Sequence, residues 1–312
     1  MNGRDHGGGV DAAVANYGGH RDQWVDLSTG INPVPYPIGD ISQRSWATLP
    51  DQAAQDALLQ AARRFWNVPD AAAILAAPGA SSLIARIPAL AQTGRVHIPV
   101  PTYNEHAAAF ATAGWQVHPS SPKATAQVLV HPNNPTGQFH PSPAQGVALQ
   151  IIDESFCDVA PAQSHIALTT RPGTIVLKSF GKFWGLAGLR LGFAIGDPDL
   201  ISTLADMLGP WPVAGPALSI ATRALNDPAW ATQTRADLVR GAARLDRTMT
   251  ASGAALCGGT SLFRLYEVEN AAAWQDRLAQ AHIWSRIFPY SDRFLRLGLP
   301  APDQWTQVEA AL

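Results

Sequence analysis

Between residues 73 and 196 the chain carries a series of short apolar runs: Ala73–Ala76, Arg95–Pro99, Gln127–His131, Leu149–Asp153, Thr174–Lys178 and Arg190–Gly196. Within them hydrophobic side chains follow one another instead of alternating strictly with polar ones. That is the pattern of strands covered on both faces, as in a mostly parallel sheet between helices. Ala-rich helical segments, Ser81–Ala91 and Tyr103–Ala113, fall between the runs, and Asp51 is placed to cap a helix over 52–66. The β-α-β rhythm predicts an open α/β sheet.

After Pro216 the pattern changes. A long helical stretch over 217–252 precedes alternating positions around Ser261–Glu267, a helix near 271–281, a strand at Arg293–Leu297 and a terminal helix. This reads as a small α+β domain. Residues 1–50 are rich in Gly, Pro and Asn, which favours turns and extended backbone. The expected division is an arm over 1–45, a large α/β domain over 46–215, and a small C-terminal domain over 216–312 that takes in part of the arm.

Composition narrows the function classes. The 312 residues are 46% hydrophobic and 15% charged, a globular balance. Twenty-two Lys and Arg stand against 24 Asp and Glu for a net charge of -2, so no basic surplus draws in a phosphate backbone and no nucleic-acid partner is expected. Cys157 and Cys257 lie far apart, with neither disulfide nor metal-ligand spacing, so no metal is expected. The polar start and the lack of a run of ~20 apolar residues predict a cytoplasmic chain with no membrane partner.

The chemistry concentrates in three segments: His131-Pro132-Asn133-Asn134-Pro135-Thr136-Gly137, then Ile151-Ile152-Asp153-Glu154-Ser155-Phe156, then Lys178 through Phe193 with Lys182 in a loop of small residues. A lysine after an apolar strand can enter a sheet-end crevice where desolvation suits it to imine chemistry, or it can be a solvated loop residue. The Asn-Pro turn and the strand-end Asp also have ordinary readings, as a turn and a cap. In this order and spacing, however, the three segments resemble the fold-type I enzymes that use pyridoxal 5′-phosphate (PLP), in the class I/II aminotransferase superfamily.

That resemblance implies a mostly parallel central sheet between helices, with a smaller α+β C-terminal domain. It also implies roles. Lys182 forms the imine with the PLP aldehyde, Asp153 holds the pyridine nitrogen protonated, and Asn134 bonds the phenolic oxygen. Ser179, Arg190 and the turn Gly79-Ala80-Ser81 meet the phosphate, the last as a helix N-terminus. His106, in Tyr103-Asn104-Glu105-His106, falls at the place of the ring stacked on the cofactor. Phe156 and Leu49 stand where the family commonly has tyrosines, the first directed at the phenolic oxygen and the second at the partner subunit's phosphate.

Within the superfamily, His6-Gly7-Gly8 followed by Asp26-Leu27-Ser28-Thr29-Gly30-Ile31-Asn32-Pro33 resembles the cobalamin-pathway threonine-phosphate decarboxylases, relatives of the histidinol-phosphate aminotransferases. The implied reaction is decarboxylation of L-threonine O-3-phosphate to (R)-1-amino-2-propanol phosphate, with a histidinol-phosphate type transamination as the alternative and a non-catalytic binding module as a third reading. Arg296 matches the family arginine that grips a substrate anion, and Arg286 is a second candidate. His6, Gly7 and Asn32 add groups from the arm. The substrate is an amino acid or amino-acid phosphate, and a homodimer is implied because sites of this family form at a two-fold interface.

Overall fold

A computed structural model describes residues 6–120, 123–141, 143 and 146–312. In chain order its strands are β1 (Val25–Asp26), β2 (Ala73–Ala77), β3 (Arg95–His97), β4 (Gln116–His118), β5 (Ala126–Val130), β6 (Leu149–Asp153) and β7 (Thr174–Ser179). They continue with β8 (Gly192–Gly196), β9 (Ala255–Thr260), β10 (Phe263–Glu267), β11 (Ile283–Trp284), β12 (Arg286–Phe288) and β13 (Ser291–Gly298). Seven form one sheet in the order β2-β8-β7-β6-β5-β3-β4, in which only β8 runs antiparallel to its neighbours. The α/β architecture expected from the apolar runs is present.

The chain divides into two compact units, one of residues 36–134 with 139–232, the other of the first 35 residues with 135–138 and 233–312. The first holds the large sheet. Every residue of β5, β6 and β8 is buried, which is why their sequences read as runs. On one face Val128, Ile151, Ile175 and Leu177 pack with Leu83, Ile87, Phe110 and Leu204 of the covering segments. The second unit holds an antiparallel sheet, β12-β13-β10-β9, and the short parallel pair β1-β11.

Several elements depart from the sequence expectation, each for a local reason. Ser81–Ala91 is not one helix. It is an α-helix over Ala80–Ile84 and a 3-10 turn over Ile87–Leu90, because Pro88 has no N–H to give an α-helical bond. The stretch 217–252 is two helices, Gly215–Leu225 and Pro228–Ala251. Pro228 opens the second, and the Asp227 side chain accepts from Trp230 N–H at 3.0 Å. Strand β8 begins at Gly192 rather than Arg190, whose φ of 52° takes it out of extended backbone. The expectation also lacked β4 and the helix Pro198–Leu208, which Asp197 caps.

Candidate active site

Strands β5, β6 and β7 are parallel neighbours, so their C-terminal ends share one edge of the sheet. A cavity there brings together eight residues picked out in the sequence for the cofactor: Gly79, Ala80, Ser81, Asn134, Asp153, Ser179, Lys182 and Arg190. Tyr103, Ser155 and Phe156 line it too.

Asp153 ends β6 and is buried. Its Oδ2 accepts from His106 Nε2 at 2.8 Å, and its Oδ1 accepts from the Ser155 N–H at 3.0 Å and from the Ser155 hydroxyl. An ionised carboxylate has about four acceptor positions, so three bonds leave one for an N–H in the cavity. Burial alone pushes the Asp153 carboxyl up, but the bonds and charge from His106 and the bonds from Ser155 outweigh it and hold the group below its ordinary value. Lys182 lies in the loop after β7, with Nζ 5.2 Å from the centroid of the Phe156 ring.

Arg190 has a left-handed backbone, φ 52° and ψ 54°, a conformation that costs a non-glycine residue about 1 kcal/mol or more and points to function. Its guanidinium takes the space a side chain on Gly79 would need: a Cβ there would lie 2.6 Å from Nη2. Gly192 likewise admits no Cβ, which would stand 2.4 Å from Ala80 N. The helix Ala80–Ile84 is short, so its dipole adds little, and what it offers is the first-turn N–H groups that have no carbonyl partner within a helix. A guanidinium, these N–H groups and the Ser179 hydroxyl suit a phosphate. With a buried carboxylate for a ring N–H and an amine for an aldehyde, the donor set fits PLP.

His106 is a correction. The sequence expectation had its ring against the cofactor face, but it is buried and committed to Asp153, and Tyr103, three residues earlier, lines the cavity. The two rings meet edge to face at 6.1 Å. His106 therefore orients the carboxylate, and the ring of its own helix region that lines the cavity is that of Tyr103.

The residues suggested for substrate lie in the other unit. Arg286 and Arg296 are direct cross-strand partners on β12 and β13. Like charges placed opposite each other destabilise a sheet unless an anion lies between them. Arg296 is buried and donates from Nη2 to Ser28 O at 2.6 Å. The arm packs on the same serine: Gly8 N–H donates to Ser28 Oγ at 2.6 Å, and a Cβ on Gly7 would lie 2.4 Å from Ser28 O. His6 is exposed at the start of this contact. Asn32 is buried, and its Oδ1 accepts from Val34 N–H at 3.0 Å, a turn-forming use of the amide.

Residues 27–311 match the aminotransferase class I and II family. The chain belongs to this family. Among its relatives is a threonine-phosphate decarboxylase of Sinorhizobium sp, 39% identical over 316 residues, covering 96% of this chain and 93% of that protein. A threonine-phosphate decarboxylase of Pseudomonas aeruginosa is 38% identical over 326 residues, covering 99% and 97%. In fold the chain resembles the histidinol-phosphate aminotransferase of Sinorhizobium meliloti solved in complex with pyridoxal-5′-phosphate, with a TM-score of 0.84, 20% identity, and coverage of 98% and 93%.

Beyond the family motifs, Tyr103 and Ser155 went unnoticed in the sequence. Ser155 carried a usable signal, since Asp-x-Ser after a strand is an Asx-turn pattern. A second polar group lies nearby: donor atoms of His131, Glu154 and Cys157 fall within 4.8 Å of one another. They are committed elsewhere. Glu154 pairs with Lys178 at 2.7 Å and accepts from Ser164 and His165, while His131 bonds Gln163 O through Nε2 and accepts from His140 N–H at Nδ1. These bonds make His131 and Glu154 part of a polar core.

Proposed function

We propose that the protein is a PLP-dependent lyase that decarboxylates L-threonine O-3-phosphate to (R)-1-amino-2-propanol phosphate, a step of cobalamin biosynthesis. The observation that carries this reading is identity of 38–39% over almost the whole chain to two threonine-phosphate decarboxylases. The cavity supports it with a lysine, a buried aspartate and an arginine in the places such chemistry needs.

PLP, when bound, supplies an electron sink for the pair released at the substrate Cα. Asp153, ionised and held by His106 and Ser155, keeps the proton on the ring nitrogen. Lys182 would hold the cofactor through its ε-amine, and the same amine is able to take or give a proton in the cavity. Phe156 offers no hydroxyl, so Asn134 is the side chain assigned to the phenolic oxygen. We assign Arg190, Ser179 and the Gly79–Ser81 turn to the cofactor phosphate, and Arg296 and Arg286 to the two anionic groups of the substrate, with His6, Gly7 and Asn32 supporting them from the arm. Which substrate bond the cofactor would activate, that to the carboxylate or that to the Cα proton, would depend on how Arg296 and Arg286 orient the substrate.

A histidinol-phosphate aminotransferase of Desulfitobacterium hafniense, 26% identical over 329 residues, keeps the second reaction as the competing reading. Supplying threonine phosphate to the PLP-loaded enzyme without any keto acid separates them. Stoichiometric CO₂ and an amino-alcohol phosphate are expected. Turnover that requires a keto acid and releases no CO₂ would make the protein a transaminase.

A further inference from the structure

The loop that carries Lys182 is closed on itself by backbone bonds, Gly185 N–H to Lys182 O at 3.1 Å and Leu186 N–H to Phe180 O at 3.2 Å. Its anchor in the protein is Trp184. That side chain is fully buried between the nearly parallel rings of Phe180, at 5.1 Å, and Trp230, at 5.4 Å. Stacking sets the plane of a ring but resists rotation within the plane only weakly, because dispersion has no preferred direction there. Tyr36, Phe65 and Phe183 also pack tilted or edge-on against it, and the directed bond among these contacts is that of the indole N–H, which donates to Asp158 Oδ2 at 3.1 Å.

Asp158 sits on the 3-10 turn Cys157–Val159, five residues beyond Asp153. It is 4% exposed, and its other oxygen accepts from the indole N–H of Trp66 at 2.9 Å. Burying a carboxylate is costly, and an ammonium near it, Lys178 at 3.5 Å, is shared with Glu154 at 2.7 Å. An apolar residue there would leave both indole N–H groups buried without their acceptor, so the carboxylate is kept by the two donors it serves. What it does is join two segments. Lys178–Glu154 and Trp184–Asp158 both link the stretch that bears Lys182 to the stretch that bears Asp153.

We infer that Asp158 is a positioning residue, which through the indole of Trp184 sets where Lys182 stands relative to Asp153. This rests on the proposed roles of Lys182 and Asp153 as the two residues that must meet one rigid ring at once. A ring cannot stretch to reach both, so the register of the two segments governs how well the lysine amine is aligned. Misplacement by about 1 Å costs reactions of this kind about a hundredfold.

The test is a double-mutant cycle with Asp158→Asn and Trp184→Phe on the PLP-loaded enzyme. Asparagine has one acceptor oxygen for two indole donors, and phenylalanine keeps the stack while removing the N–H. Each variant is expected to retain borohydride-trapped PLP on Lys182, to keep KM for threonine phosphate within about threefold, and to lose about 10- to 100-fold in kcat. Each should also move the pH midpoint at which the visible absorbance of the lysine-bound cofactor changes. In the Trp184→Phe background the added effect of Asp158→Asn should shrink below about threefold, since the bond it breaks is already gone. A lower melting temperature with wild-type kcat and absorbance midpoint overturns the inference, as do effects that multiply in the double variant. If Asp158→Asn does not fold, Trp184→Phe alone decides by the same kcat and midpoint. Borohydride label on a lysine other than Lys182 in the wild-type enzyme would instead sink the underlying assignment.

Discussion

Arg190 shows how a single residue trades stability for function. Its left-handed backbone is strained for any residue with a Cβ, yet it places a guanidinium against the Gly79 turn at the mouth of the cavity. Two substitutions separate the two effects. Arg190→Ala keeps the strain and removes the charged donors, each worth about 1.5–3 kcal/mol, so PLP should bind about 10- to 100-fold more weakly by equilibrium titration. Arg190→Gly removes the donors and the strain together. It should lose the same affinity while unfolding at an equal or higher denaturant midpoint. Unchanged PLP affinity in both variants would take Arg190 out of the phosphate site. His106 teaches the complementary lesson, because the sequence offered its planar ring for the stacking role and passed over Tyr103 three residues earlier. Only the 2.8 Å bond to Asp153, across 47 positions of sequence, shows which ring is occupied elsewhere.

At the scale of elements, the loop from His131 to His140 bears Asn134 and is held by a histidine that must be neutral. His131 Nε2 donates to Gln163 O at 2.7 Å and Nδ1 accepts from His140 N–H at 3.0 Å, so protonating Nδ1 sets two donors against each other. Burial lowers the proton affinity of His131 and of His140, and the neighbouring His165 lowers both further. The sign follows directly: below the ordinary histidine value of about 6.5 the unfolded chain binds protons that the folded chain refuses, so stability falls as pH drops and is level above that value. The carboxylate acting on His131 is Glu154, which is itself paired with Lys178. Urea midpoints should decline from pH 6.5 to pH 5, with a shallower decline in His131→Gln, whose amide can supply one donor and one acceptor. An identical slope in that variant would place the acid sensitivity elsewhere.

The same scale explains what was legible in the sequence. Strands β5 to β8 announced themselves because burial on both faces leaves an unbroken apolar run, and Asp153 at the end of β6, with Asn134, Lys182 and Arg190 in loops beside such strands, was legible through the resemblance of these segments to a known family. The three-residue strands β3 and β4 carry too little pattern for their limits or, for β4, its existence to be read. The break at Asn226-Asp227-Pro228 was written in the sequence and was masked by the helical character of both flanks. Asp158 and Trp184 gave no signal at all, since a carboxylate and an indole 26 positions apart become partners only through the fold.

For the whole molecule, the surface bears on assembly. Trp46 and Leu49 are 68% and 66% exposed, and Trp211 is 52% exposed. Large apolar side chains left in water in this number call for a partner. Trp46 is not on a loose segment: its helix, Gln43–Ala47, lies so close to the helix Gly215–Leu225 that a Cβ on Gly215 would stand 2.3 Å from Ser45 O. The side chain is thus presented outward by an element fixed to the body. Leu49, three residues on, stands at the position where the family resemblance implies a residue reaching the partner subunit's phosphate, which ties this surface to the homodimer that resemblance implies. Sedimentation equilibrium should give twice the chain mass of 33.1 kDa. Trp46→Glu with Leu49→Glu should shift the mass toward one chain, because a carboxylate taken into a subunit interface without a counter-charge carries a desolvation cost of several kcal/mol. PLP affinity of the shifted form then reports whether the second subunit contributes to the cavity. A wild-type mass of one chain would end the homodimer reading, and a variant that stays at two chains would move the interface to another face.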